Sequence, residues 1–101
     1  MASRTTLHEE LEKILGNSNV YFQPPVSIEM QYPAIVYELQ NIDNQFADNN
    51  VYIQNKSYKV TVIDKDPDSE IVERVSKMPM CEFDTFFVSD RLNHTVFTIT
   101  Y

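Results

Sequence analysis

Gly16 is the only glycine in the 101 residues, which limits how this chain can turn. Glycine takes left-handed backbone without steric cost, so tight reversals normally lean on it. Here they fall to Asn and Asp, which tolerate that conformation better than other residues with side chains. The clusters GNSN (16–19), ADNN (47–50) and DRLN (90–93) mark three such places. The same shortage removes the glycine-rich phosphate cradles, since both common forms need at least two glycines in one loop.

Between the turns, apolar spacing defines the elements. Leu7, Leu11, Ile14 and Leu15 form one stripe, predicting a helix over 3–15 that Gly16 ends as a left-handed C′ residue. Thr6 and Glu9 have capping-box spacing, with Ser3 an alternative cap one turn earlier. NVYFQP (19–24) is a short strand stopped by Pro24-Pro25. YPAIVYELQNI (32–42) places Ile35, Tyr37 and Leu39 on one face and Val36, Glu38 and Gln40 on the other. KSYKVTVID (56–64) alternates Tyr58, Val60 and Val62 with Lys59, Thr61 and Ile63.

A second helix is expected over 67–78, with Ile71, Val72, Val75 and Met78 as its apolar stripe and Pro79 as its end. Asp66 reads as its N-cap and Pro67 as its first helical residue, with Asp68 and Glu70 near the positive N-terminus. CEFDTFFVS (81–89) and HTVFTITY (94–101) finish the chain as two strands, the last turning Phe97, Ile99 and Tyr101 to the core. Most successive strands leave no room for crossovers. The expected fold is α+β, a single domain over 1–101 with a mainly antiparallel sheet and two helices packed on it. A chain of this length buries about 65% of its unfolded surface, enough for one core without staples.

Residues 41–55 are polar and Asn-rich, too long for a tight turn, and read as a long hairpin arm or a loop that orders on contact. Phe46 and Tyr52 are the aromatics of that arm, and Asp48 and Asn49 lie in its turn-like cluster. Aromatics in such polar surroundings suggest a contact surface, so these four residues are the candidate interface. The other aromatics fall mostly in expected strands and are assigned to core and sheet packing, Phe83, Phe86 and Phe87 among them.

Chemistry finds little footing. VIDKDPDSEIVERV (62–75) places acids at Asp64, Asp66, Asp68 and Glu70. A calcium loop needs glycine at its sixth position and a bidentate Glu at its twelfth. Counted from Asp64 those are Ser69 and Val75, so no metal is expected. His8, which reads as solvated, and His94 are the only histidines, and Cys81 the only cysteine. They have no zinc-ligand spacing, and nothing supplies the third group a catalytic dyad needs. No disulfide can form within the chain. Aromatics without interleaved Arg and Lys make no base-stacking platform. The net charge of −7 and pI near 4.6 argue against gripping phosphates, so nucleic acid is expected only as a passing neighbour. No apolar run approaches the ~20 residues of a membrane span, and MASRTTLHEELEKI reads as an acidic amphipathic helix rather than a signal peptide. No catalytic residue or cofactor is expected, and no membrane partner.

Five segments in order, NVYFQPP, MQYPAIVYEL, YKVTVIDKDPDSEI, MPMCEFD and LNHTVFTITY, resemble those of small tail-completion proteins of long-tailed bacteriophages. These are the tail terminators or head–tail joining proteins of siphovirus-type particles, and the likeness runs from about Leu7 to Tyr101. The resemblance implies an α/β sandwich that forms a hexameric ring at the head-proximal end of the tail tube. Such a ring ends tube polymerisation and docks on the neck of the head, with DNA leaving through its lumen. The implied partners are further copies of the chain, the tail tube protein and a neck or stopper protein. The implied place is the virion, after assembly in the host cytoplasm. Another neck component or a minor tail-tube protein is the alternative within the particle. From other classes the alternatives are a small enzyme using Cys81, His94 or the 64–70 carboxylates, and a stand-alone adaptor.

Overall fold

The computed structural model describes residues 4–25 and 29–101, with backbone alone for 51–53. In chain order the elements are α1 (Arg4–Leu15), β1 (Val20–Phe22), β2 (Ala34–Ala47), β3 (Asn50–Asp64), α2 (Glu70–Ser76), β4 (Cys81–Ser89) and β5 (Leu92–Thr100). All five strands join one sheet in the order β1-β2-β3-β5-β4. Three of the four pairings are antiparallel, and only β1 with β2 is parallel. This is the α+β arrangement predicted from the spacing. The parallel pair has a physical origin, because the 23–33 connection approaches the dozen or so residues that a crossover needs.

The helices cover one face of the sheet. Register aligns Tyr37 of β2, Val60 of β3 and Phe97 of β5, and next to them Ile35, Val62 and Thr95. Leu7, Leu11 and Leu15 of α1 and Ile71 and Val75 of α2 bury themselves against this face. Leu7, Leu11 and Val75 have no exposed surface at all. Each such side chain contributes about 1.5–3 kcal/mol by leaving water. Tyr101 is only partly buried at the margin of this core. α1 ends where the sequence says: Gly16 has φ +84 and its amide donates to the Glu12 carbonyl at 2.9 Å. A Cβ at Gly16 would touch nothing within 4 Å, so glycine is needed there for its backbone rather than for space. Thr6 lies inside α1 instead of capping it, and Ser3 falls outside the described residues.

α2 corrects the sequence reading. Its N-cap is Ser69, whose hydroxyl accepts from the Ile71 amide at 3.2 Å. Asp66 is already engaged, since its carboxylate accepts from the Asp68 amide at 2.9 Å while Asp64 accepts from Asp66 at 3.1 Å. Two consecutive side-chain turns therefore occupy 64–68, with Pro67 inside them, and the helix begins later than predicted. It also ends earlier, at Ser76 with Lys77 as C-cap. Val72 and Met78 still pack against the core, though Met78 does so from beyond the helix.

The segment read as an arm or loop is strand. β2 and β3 continue through 41–55 and pair from Asn41↔Ser57 to Ala47↔Asn50, with a bulge at Gln40 and another irregularity between Gln45 and Phe46. The turn is only Asp48-Asn49, with φ 52 and 64, and Asp90-Arg91 repeats these angles between β4 and β5. Positive φ at both central residues is the type I′ geometry whose twist matches paired strands. β5 leaves β3 at Ser57, and β1 leaves β2 at Tyr37, so among the described residues the outer part of the hairpin has only its own two strands. The molecule measures 51 × 28 × 23 Å.

Candidate assembly surface

Burial along β4 stops almost at its first residue. Cys81 packs against the core, but every residue from Glu82 to Ser89 is exposed. Phe83 is 64% exposed, Phe86 49%, Phe87 45% and Val88 60%, with Met80 at 69% just before the strand. This corrects the assignment of these phenylalanines to the core. The other expected core aromatics divide differently: Tyr37, Tyr58 and Phe97 are buried, while Phe22 only flanks the core.

The register of β4 shows how three apolar side chains come to share a face. Phe83 lies opposite Phe97, and the two rings meet edge-on at 6.2 Å. A bulge between Phe83 and Thr85 then inserts Asp84, so Phe86 lies opposite Thr95 and Val88 opposite Asn93. Without the extra residue Phe86 would point to the other side. Phe83, Phe86 and Val88 thus stand in one row, on the face that the helices cover elsewhere. Phe87 points the opposite way and stacks on His94 at 4.6 Å. Among the described residues no strand pairs with the outer edge of β4.

A second apolar group lies on the outer hairpin. Leu39 is 40% exposed, Ile42 45% and Phe46 66%. Leu39 lies opposite Tyr58 and Ile42 opposite Lys56; strand alternation then places Asn44 and Phe46 on the same side. This too is the helix-covered face, beyond the reach of the helices. Of the four interface residues taken from the sequence, Phe46, Asp48 and Asn49 come together at the hairpin tip. Asp48 and Asn49 make the turn, and the Asp48 carbonyl accepts from the Asn50 side chain at 3.3 Å. The Tyr52 side chain lies outside the described residues.

The candidate reactive residues are not gathered. Cys81 lies opposite Ile99 and His94 opposite Phe87, toward opposite ends of the β4–β5 pair. Burial pushes the Cys81 thiol up, and neighbouring Glu82 adds to the rise. His94 Nδ1 sits 3.1 Å from the Leu92 carbonyl. Asp64, Asp66 and Asp68 belong to their turns, and no group of three or more potential metal ligands occurs among the described residues. His8, read from sequence as solvated, has Nδ1 2.7 Å from the hydroxyl of buried Tyr37, which also accepts from Arg4 at 3.2 Å. Arg4 in turn lies over the Phe22 ring at 4.3 Å. This cluster fastens α1 to β2. No helix among the described residues is long and apolar enough to cross a membrane.

The β4 row carried a signal that the sequence reading missed. Phe86, Phe87 and Val88 are consecutive apolar residues, so the strand is apolar on both sides, although the opposite face of this sheet carries no helix. No protein-family model matches the chain, and neither a curated protein nor a solved structure matches it.

Proposed function

We propose that this chain is a structural subunit whose copies form a ring at the head-proximal end of a phage tail tube, ending tube growth and joining tail to head. The observation that carries this reading is the exposed row of Phe83, Phe86 and Val88 on an uncovered sheet edge. Proteins that work alone blunt such edges with short strands, prolines or lysines. This edge strand is nine residues long and contains neither proline nor lysine; its two acids, Glu82 and Asp84, and its bulge lie in its first half, and Phe86–Ser89 carry no such guard. It suits a subunit that is completed by a neighbour. The opposite edge of the sheet is built from different strands, and contact between two unlike surfaces propagates head to tail until a rotation closes it. The resemblance of five segments to tail-completion proteins supports setting such a ring at a tail tube. A net charge of −7 suits a conduit that DNA must leave without sticking.

The test is to add the purified protein to tail tubes as they polymerise and to follow tube length and tube ends by negative-stain electron microscopy. Capped tubes of limited length, with a ring at one end, are expected. Tubes that grow unchecked with no protein at their ends overturn the reading. Protein found on tailless heads and absent from tails transfers it to another neck component.

A further inference from the structure

We infer that the seam between neighbouring copies is a continuation of the sheet, in which β4 of one copy pairs antiparallel with the outer edge of β2, over residues 40–47, of the next. The inference rests on the ring reading above and specifies which surfaces close the ring.

Four observations converge on it. The first is vacancy. β1 covers β2 only at Ile35–Tyr37, and the Gln23 side chain reaches the Leu39 amide at 3.3 Å, so the edge beyond is free among the described residues. Among the described residues, no strand pairs with the outer edge of β4 anywhere along its length. The second is length, because β4 with its nine residues matches the uncovered stretch of β2.

The third is direction. β4 opposes β5, β5 opposes β3 and β3 opposes β2, so β4 and β2 run in opposite senses within one molecule. A neighbour placed beside the first with its strands kept roughly aligned therefore presents β2 antiparallel to β4, the more stable pairing per residue. The fourth is facing. Phe83, Phe86 and Val88 on β4, and Leu39, Ile42 and Phe46 on β2, all project from the helix-covered face of the sheet. Side by side, the two rows merge into one apolar band. The exposed parts of Phe83 and Phe86 alone amount to about 200 Å², about a quarter of the roughly 800 Å² per partner of a standard interface.

Pairing of β4 with β4 of a second copy would cover one edge but leave the hairpin row bare and end at a dimer. The head-to-tail seam uses both rows and leaves every copy with the same two contacts.

The seam is tested by placing one cysteine on each edge, in full-length protein carrying Cys81→Ser. Thr85→Cys is made in one batch and Asp43→Cys in another, and each is treated with a short bismaleimide alone and after mixing. Cross-linked dimer is expected only in the mixture. The two substitutions in one chain should give a ladder that ends at the oligomer size found by native mass spectrometry. An oligomer that cross-links only within the Thr85→Cys batch, or not at all, overturns the seam but leaves the ring reading standing. A persistent monomer, with or without tail tubes, overturns both. As a second arm, Phe86→Lys should keep the circular dichroism of the parent while weakening association by at least about tenfold. A folded Phe86→Lys protein that associates as before also overturns the seam.

Discussion

Arg91 holds φ 64 in the turn between β4 and β5, a conformation that side-chain-bearing residues other than Asn and Asp rarely adopt. Its neighbour Asp90, at φ 52, is better suited to that region. Arg91→Gly should therefore stabilise the protein by about 0.5–1 kcal/mol, as relief of local strain outweighs the added freedom of the unfolded chain. A rise in the urea midpoint without a change in slope would confirm it. Tyr37 allows a second prediction. Burial raises its phenol above the ordinary 10.0, while the Arg4 hydrogen bond acts in the opposite direction. The unfolded chain thus gives up this proton at lower pH than the folded one. The stabilisation is whole below the unfolded pKa of about 10 and is lost as pH rises through the higher folded value. Tyr37→Phe should cost about 1 kcal/mol at neutral pH, from lost bonds to His8 and Arg4, and should flatten the alkaline fall in thermal stability. Tyr101, also raised by burial and by neighbouring Glu10, would keep its own contribution to that fall.

Among the elements, the outer hairpin is the most separable. Among the described residues, 41–47 and 50–55 have no strand partners but each other, Lys56 accepts one further backbone bond, from the Tyr101 amide at 2.9 Å, and Leu7, Leu11, Tyr37, Val60 and Phe97 form the core without them. Replacing residues 42–56 by Asn-Gly would join Asn41 to Ser57, an existing pair, through a type I′ turn. The shortened protein should keep a cooperative unfolding transition with a melting temperature within a few degrees of the parent, and should lose self-association. Calorimetry and native mass spectrometry would separate the two effects, and a molten product would show that the hairpin belongs to the core after all. α1 and the central strands were legible in the sequence because their apolar residues repeat at 3.6 or 2 positions with clear stops. α2 was misplaced because three consecutive candidates, Asp66, Pro67 and Asp68, compete with Ser69 as helix openers. Only the backbone path decides which side chain is still free to cap.

At the scale of the whole molecule, charge opposes the association that the apolar rows favour. The chain carries −7, and the proposed seam sets Glu82 and Asp84 of β4 near Asp43 and Asp48 of the hairpin. Repulsion between exposed carboxylates reaches about 30 Å at 0.01 M salt and about 10 Å at 0.1 M. Self-association should therefore strengthen as sodium chloride rises from about 0.01 to 0.3 M at neutral pH, a range over which the screening length shrinks several-fold. Sedimentation velocity at fixed protein concentration would show it. Dissociation with added salt would mean that opposite charges, rather than phenylalanines, hold the copies together. The elongated outline, 51 Å along its main axis, leaves the hairpin tip and the β4 row as separate features of the surface, which suits a subunit with a neighbour on each side.

The sequence by itself determined the class of fold, the end of α1 at Gly16, the alternation of the central strands and the absence of a glycine-built phosphate loop. These depend on spacing and backbone freedom over a few neighbouring residues, and local patterns record them. The tertiary structure alone decided that β1 joins in parallel, that β4 lies at an edge and that its phenylalanines stay in water. An aromatic strand reads the same in the middle of a sheet or at its rim, because burial depends on which strands and helices arrive from elsewhere in the chain.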